Sequence, residues 1–152
     1  MTTHSSKACC ETPPAAFAED YAAKGTYEMY ADLECYITGP RDAKTAIFFL
    51  YDVFGFQPPT IQGADILSSK GCLVVMPDFF EGKPIKLEWF ARDTKEKKQH
   101  IATFMERIAD PKPHIERVHK VLGDLKQAFP SVEKWGSVGC KCRYYICLYC
   151  WS

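Results

Sequence analysis

Apolar residues along this chain fall into unbroken runs of strand length and stripes of helical spacing, and that alternation predicts an α/β fold. Thr45-Ala-Ile-Phe-Phe-Leu-Tyr51 and Cys72-Leu-Val-Val-Met76 are continuous apolar runs, the pattern of strands covered by helices on both faces. Between them, Pro58-Pro-Thr60 predicts a helix start, from fixed proline torsions and a capping hydroxyl, and Lys70-Gly71 predicts its end. Strand, helix, strand in that order implies a right-handed crossover between parallel strands. Further on, Ile101, Phe104, Met105 and Ile108 recur at i, i+3, i+4 and i+7, one face of a helix that Asp110-Pro-Lys-Pro113 breaks. Ile115, Val118, Leu122, Leu125 and Phe129 mark a second helix, stopped by Pro130, and Lys134-Trp-Gly-Ser-Val-Gly139 reads as a short strand. Upstream, Tyr27 to Thr38 alternates in patches before Gly39-Pro-Arg-Asp42, so it is one bent strand or a short hairpin.

The expected architecture is three-layer α/β/α with a mostly parallel sheet, confined to residues 26–139. Residues 1–25, with Pro13-Pro14 and an Ala-rich patch, read as a poorly ordered lead-in, and residues 140–152 as a tail of cysteines and aromatics. A length of 152 residues suits one domain. The 47% hydrophobic and 25% charged residues are those of an ordinary globule, and a formal net charge of zero provides no field for a nucleic-acid partner. No window approaches a membrane span and no signal-peptide core follows Met1, so the expected location is the cytosol, with the eight cysteines reduced. Nothing in the pattern selects an oligomeric state. Four of those cysteines fall in the last thirteen residues.

Ligands of parallel α/β sheets bind beyond the carboxyl ends of strands. The first such end is Tyr51-Asp-Val-Phe-Gly-Phe56, where a carboxylate could orient a catalytic group and the N–H groups of a Gly-containing turn could hold an oxyanion. The bland alternative makes Asp52 a turn-forming acid. Met76-Pro-Asp78 ends the next strand, with Asp78 the weaker candidate, and Gly139 is the third end, where a sharp strand-to-helix turn would display a nucleophile.

In that order and spacing, Ala46-Ile-Phe-Phe-Leu-Tyr-Asp-Val-Phe-Gly-Phe56, Gly71-Cys-Leu-Val-Val-Met-Pro-Asp-Phe-Phe-Glu-Gly82 and Trp135-Gly-Ser-Val-Gly139 resemble the dienelactone hydrolase family of α/β-hydrolases, over roughly residues 25–139. Its fungal and other eukaryotic branch is the most similar. The resemblance implies a hydrolase of lactones or small esters acting through a Cys, Asp and His triad, with a small-molecule ester or lactone as partner and neither cofactor nor metal. Carried over, Asp52 would poise the nucleophile and the Val53 N–H would contribute to the oxyanion hole. The family's Gly-x-Cys-x-Gly-Gly then fails: counted from Gly139, Lys141 stands in the nucleophile place and Arg143 in that of the following Gly.

Cys140 and Cys142 each lie one residue from that place and are displaced nucleophile candidates, with Lys141 and Arg143 able to lower a neighbouring thiol's pKa. Ser137 lacks the upstream Gly of the serine elbow, because Trp135 occupies it. The family's later acid and base have no counterpart, since His4, His100, His114 and His119 all precede Gly139. Of these, His119 shares a face with Ile115, Val118 and Leu122 and reads as a histidine at the core margin, while His100 and His114 read as exposed helix-terminal residues. The expectation is therefore a sequence that is inactive as written. The alternative is a non-catalytic short isoform or cysteine-rich module, in which Cys140, Cys142, Cys147 and Cys150 could supply four thiolates to Zn²⁺; their short spacer argues against that use, and the composition of the tail favours sequence read past an exon end.

Overall fold

The computed structural model describes residues 21–108 and 110–139. Five strands form one sheet, β1 (Thr26–Tyr30), β2 (Leu33–Thr38), β3 (Thr45–Leu50), β4 (Leu73–Pro77) and β5 (Lys134–Gly139), in the order β1-β2-β4-β3-β5. The helices are α1 (Pro58–Ser68), α2 (Lys95–Arg107) and α3 (Pro111–Ala128), with a 3-10 turn at Leu87–Ala91.

The two apolar runs and the short strand β5 pair in parallel, β4 with β3 and β3 with β5. The sheet is nevertheless mixed rather than mostly parallel, because β1 pairs antiparallel with β2 and β2 antiparallel with β4. A short connection can only reverse a chain, and here two residues, Ala31 and Asp32, join β1 to β2 with φ of 48° and 64°. Both being positive is the mark of the primed hairpin turns whose twist matches the strands. Asp124 Oδ2 accepts from the Ala31 N–H at 2.9 Å and Lys120 pairs with Asp32 at 3.1 Å, so α3 holds this unfavourable backbone from outside. The segment from Tyr27 to Thr38 is thus the hairpin of the two alternatives.

Strand alternation sorts the core into two clusters. Leu33, Cys35, Ile37, Ala46, Phe48, Leu50, Leu73 and Val75 meet Val118, Val121, Leu125 and Phe129 of α3. The opposite set, Tyr36, Phe49, Tyr51, Val74 and Met76, meets Ile61 and Ala64 of α1 and Phe104 of α2. Residues of β3 and β4 are therefore buried whichever way they point, which is why those runs show no polar alternation. At roughly 1.5–3 kcal/mol for each fully buried large apolar side chain, either cluster is a major source of stability.

Helix ends follow local chemistry, with two departures from expectation. Thr94 caps α2 through its hydroxyl, which accepts from Lys97 N at 3.2 Å, and Asp110 caps α3, accepting from Lys112 N at 3.0 Å. Asp110-Pro-Lys-Pro113 therefore ends one helix and begins the next, since prolines in a first turn forfeit only N–H groups that need no helical partner. Thr60 does not cap α1. Gln57 occupies that position without a side-chain bond and Pro58 sets the start.

The second departure concerns the histidines of α3. His114 is buried and His119 exposed. The inward face runs His114, Val118, Val121, Leu125, a 4-3-4 spacing, so a stripe started from Ile115 misplaces both by one position. From the expected lead-in, Tyr21 OH donates to Asp65 Oδ2 at 2.8 Å, the Lys24 N–H to the same oxygen at 3.1 Å, and Tyr36 OH to Asp65 Oδ1 at 2.7 Å. Burial opposes ionisation of Asp65, yet these bonds, with Thr38, hold its carboxyl below the usual range.

Candidate active site

β3 delivers its carboxyl end into a tight turn. The Asp52 carbonyl accepts from Gly55 N at 3.2 Å, and Asp52 Oδ1 accepts from Phe54 N at 2.9 Å. Gly55 has φ of +73°, and a Cβ there would lie 3.1 Å from Pro84, so glycine serves both the left-handed backbone and the close approach. The turn is tied to the segment after β4 by Ile85 N, which donates to the Val53 carbonyl at 2.9 Å. Among the described residues the Val53 N–H has no hydrogen-bond partner. Asp52 is half-buried and borders a cleft of about 950 Å³.

The second carboxylate has a different fate. Asp78, 7% exposed, accepts from Tyr51 OH at 2.5 Å, from Phe80 N at 3.1 Å and from Gly82 N at 2.7 Å. Burial, then the Asp78 hydrogen bond, raises the Tyr51 phenol above its ordinary value, so Tyr51 stays a neutral donor. Asp78 is thus a buried brace for the loop that continues into the cleft wall, and it does not border the cleft.

The third strand end completes the geometry. In the β3–β5 ladder Leu50 stands opposite Gly139, so the chain leaves β5 beside the strand that leads into Asp52. Ser137 pairs with Phe48 within β5, away from any turn. Cys140, Cys142, Lys141, Arg143 and the four-cysteine tail motif lie outside the described residues. The described cysteines do not supply a nucleophile at this place. Cys35 is fully buried, and burial pushes its thiol up to about 12. Cys72 precedes β4, at the sheet's other end, and donates to the Leu67 carbonyl at 3.2 Å. Among the described residues no three His, Cys, Asp or Glu side chains converge as a metal site, and no helix is long and apolar enough to cross a membrane.

The far wall of the cleft is formed by the 3-10 turn and α2, which the sequence reading did not assign to the site. Trp89 stacks on His100, ring centroids 4.6 Å apart and planes at 19°, and His100 Nε2 lies 3.5 Å from Glu96. His100 is exposed, as expected, but it lies in the middle of α2 rather than at its end, and it borders the cleft. Arg107 lies over the Phe104 ring at 4.9 Å and donates to the Lys83 carbonyl at 2.8 Å. Lys83, Lys86 and Arg107 face the same space as Asp52. The aromatic pair Trp89-Phe90, following Glu81-Gly82-Lys83-Pro84, was the available signal. Its contact with His100 depends on the fold.

No family model matches the chain. Among curated proteins, an uncharacterised AIM2 family protein of Schizosaccharomyces pombe is 30% identical over 149 residues, covering 95% of this chain and 56% of the relative. The carboxymethylenebutenolidase homolog of Homo sapiens is 35% identical over 66 residues, 42% of this chain and 27% of that protein. The chain spans about half the length of the first of these relatives and less of the second. Among solved structures, one described as m3DLH superposes with a TM-score of 0.52 at 15% identity, over 78% of this chain and 50% of that one. The chain has an α/β fold of the kind seen in that structure and, over about two-fifths of its length, is similar in sequence to proteins named for hydrolysis.

Proposed function

We propose that residues 26–139 form the oxyanion-side half of a dienelactone hydrolase-like site for lactones or small esters. The observation that carries this reading is the register of Leu50 opposite Gly139, next to a cleft bordered by Asp52. A thiolate displayed just after Gly139 would stand near Asp52, which would poise it. It would attack the substrate carbonyl while the Val53 N–H helps to hold the oxyanion; collapse of the adduct would break the acyl C–O bond and release the alcohol, protonated by the later histidine that the resemblance implies, and water would then hydrolyse the thioester to the acid and the free thiol. The half-buried carboxylate, the unpartnered Val53 N–H and the similarity to hydrolases support these assignments.

In this sequence Lys141 and Arg143 stand where the resemblance places Cys and Gly, so these 152 residues are assigned only part of the machinery. The test joins residues 1–139 to the corresponding later portion of the Schizosaccharomyces pombe relative and compares it with the 152-residue chain on p-nitrophenyl acetate and dihydrocoumarin. The joined protein should show saturable hydrolysis abolished by thiol alkylation, and Asp52→Asn in it should lower kcat by on the order of 10²-fold or more. The 152-residue chain should show none. Saturable, alkylation-sensitive turnover by the short chain, or an Asp52→Asn joined protein of full activity, would overturn the reading.

A further inference from the structure

One buried group takes no part in that chemistry. Among the described residues, His114 Nδ1 is a buried side-chain nitrogen with no hydrogen-bond partner, on a residue only 8% exposed. It lies in the first turn of α3, at the junction with α2, where the positive end of a helix dipole opposes a further positive charge.

The charged groups facing the imidazole are Arg107 at the end of α2, Arg117 one turn along α3, and Asp110 at the cap. Those two guanidiniums also hold the loop after β4. Arg107 donates to the Lys83 carbonyl at 2.8 Å and Arg117 to Glu81 at 2.5 Å. That loop carries Lys83 to Leu87, one wall of the cleft, and joins the Asp52 turn through Ile85 N and the Val53 carbonyl. The cationic ties that shape the cleft thus converge on an uncharged, buried histidine.

We propose that His114 is an acid-operated latch: its protonation drives Arg107 and Arg117 apart at the α2–α3 junction, releases the loop after β4, and loosens the wall of the cleft. Burial lowers the His114 pKa, the two arginines add to the effect, and the Arg107 carbonyl and Asp110 oppose it. The imidazole is therefore neutral, and the latch closed, around neutral pH. As pH falls below 6.5 the unfolded or opened chain takes up the proton before the closed one does, so closure weakens over the interval down to the depressed pKa. The inference concerns the shape of the cleft and stands independently of the reaction proposed for it.

The test is an NMR pH titration of the full 152-residue chain from 7.5 to 4.5, following the histidine ring protons and the amides of Lys83, Ile85 and Arg107. His114 should titrate below the ordinary histidine value of 6.5. The Lys83 and Arg107 amides should shift with the His114 midpoint, and Ile85 exchange, corrected for its intrinsic pH dependence, should accelerate severalfold below it. In His114→Gln these coupled shifts should vanish. In Arg107→Met, which keeps the histidine, its midpoint should rise and Lys83 should no longer follow. A His114 midpoint at or above 6.5, or loop shifts that follow a different midpoint in the unmodified chain, would overturn the latch even if a variant failed to fold.

Discussion

The turns that follow β3 and β4 begin almost alike, Tyr51-Asp52-Val53-Phe54-Gly55 and Pro77-Asp78-Phe79-Phe80, yet their carboxylates have opposite surroundings. Asp78 is enclosed and receives three donors, one of them the Tyr51 hydroxyl from the other turn. Asp52 spends one oxygen on its own turn and borders the cleft. A strand end supplies a carboxylate in either case. What separates a brace from a candidate reactive group is whether neighbouring donors saturate it, because a saturated carboxylate has little capacity left for a ligand. The Tyr51–Asp78 bond sets one turn on the other, so the enclosed acid fixes the position of the available one.

Removing the brace should produce the largest effect. Asp78→Ala removes the acceptor of the Tyr51 hydroxyl and of the Gly82 N–H and leaves the Phe80 N–H only its longer bond to the Tyr51 oxygen at 3.3 Å, and should cost about 2–4 kcal/mol in urea unfolding. Tyr51→Phe removes one of the three donors to Asp78 and the weaker acceptor of Phe80 N, and should cost about half as much. A loss below about 0.5 kcal/mol for Asp78→Ala would erase the distinction between the two turns. Asp52→Ala should be milder, near ~1 kcal/mol, because it removes one local bond from a half-exposed turn. Its unfolding midpoint should stay near that of the unmodified chain, and a loss matching Asp78→Ala would make Asp52 a second brace.

The smallest effect belongs to a carboxylate remote from both turns. Hydrogen bonds from Arg41 hold the Glu28 carboxyl down at about 2, from an ordinary 4.5, against partial burial. Being lower in the folded state, it contributes stability that is complete above 4.5 and lost as pH falls toward about 2. Both partners are substantially exposed, so Glu28→Gln should cost well under ~1 kcal/mol at neutral pH, and less in high salt. Urea midpoints of the two proteins should converge between pH 4.5 and 2, and a gap that persists at pH 2 would contradict the assignment.

The same contrast explains what sequence could disclose. β3 and β4 were legible because strands covered on both faces carry unbroken apolar runs, and α2 because Ile101 and Phe104 repeat at helical spacing. Asp52 and Asp78 were both found, since each follows a strand. The partner that encloses Asp78 is Tyr51, 27 positions away, and no local pattern encodes that bond. The stack of Trp89 on His100 was hidden in the same way. His114 and His119 exchanged places because the α3 stripe admits two phases one residue apart, and only the sheet face decides between them. Between one bent strand and a hairpin the first edge was left open for a simpler reason: Ala31-Asp32 lacks the glycine or asparagine that normally announces a two-residue turn.

That turn also sets a timetable for synthesis. Ala31 is held by Asp124, 93 positions later in the chain. At ordinary elongation rates of 5–20 residues per second, roughly 5–20 s separate the appearance of the hairpin from that of the residue that anchors its tip. β1 and β2 can pair as soon as they emerge, but until α3 leaves the ribosome the apolar face made by Leu33, Cys35 and Ile37 has no cover. The nascent chain therefore displays that face throughout the interval.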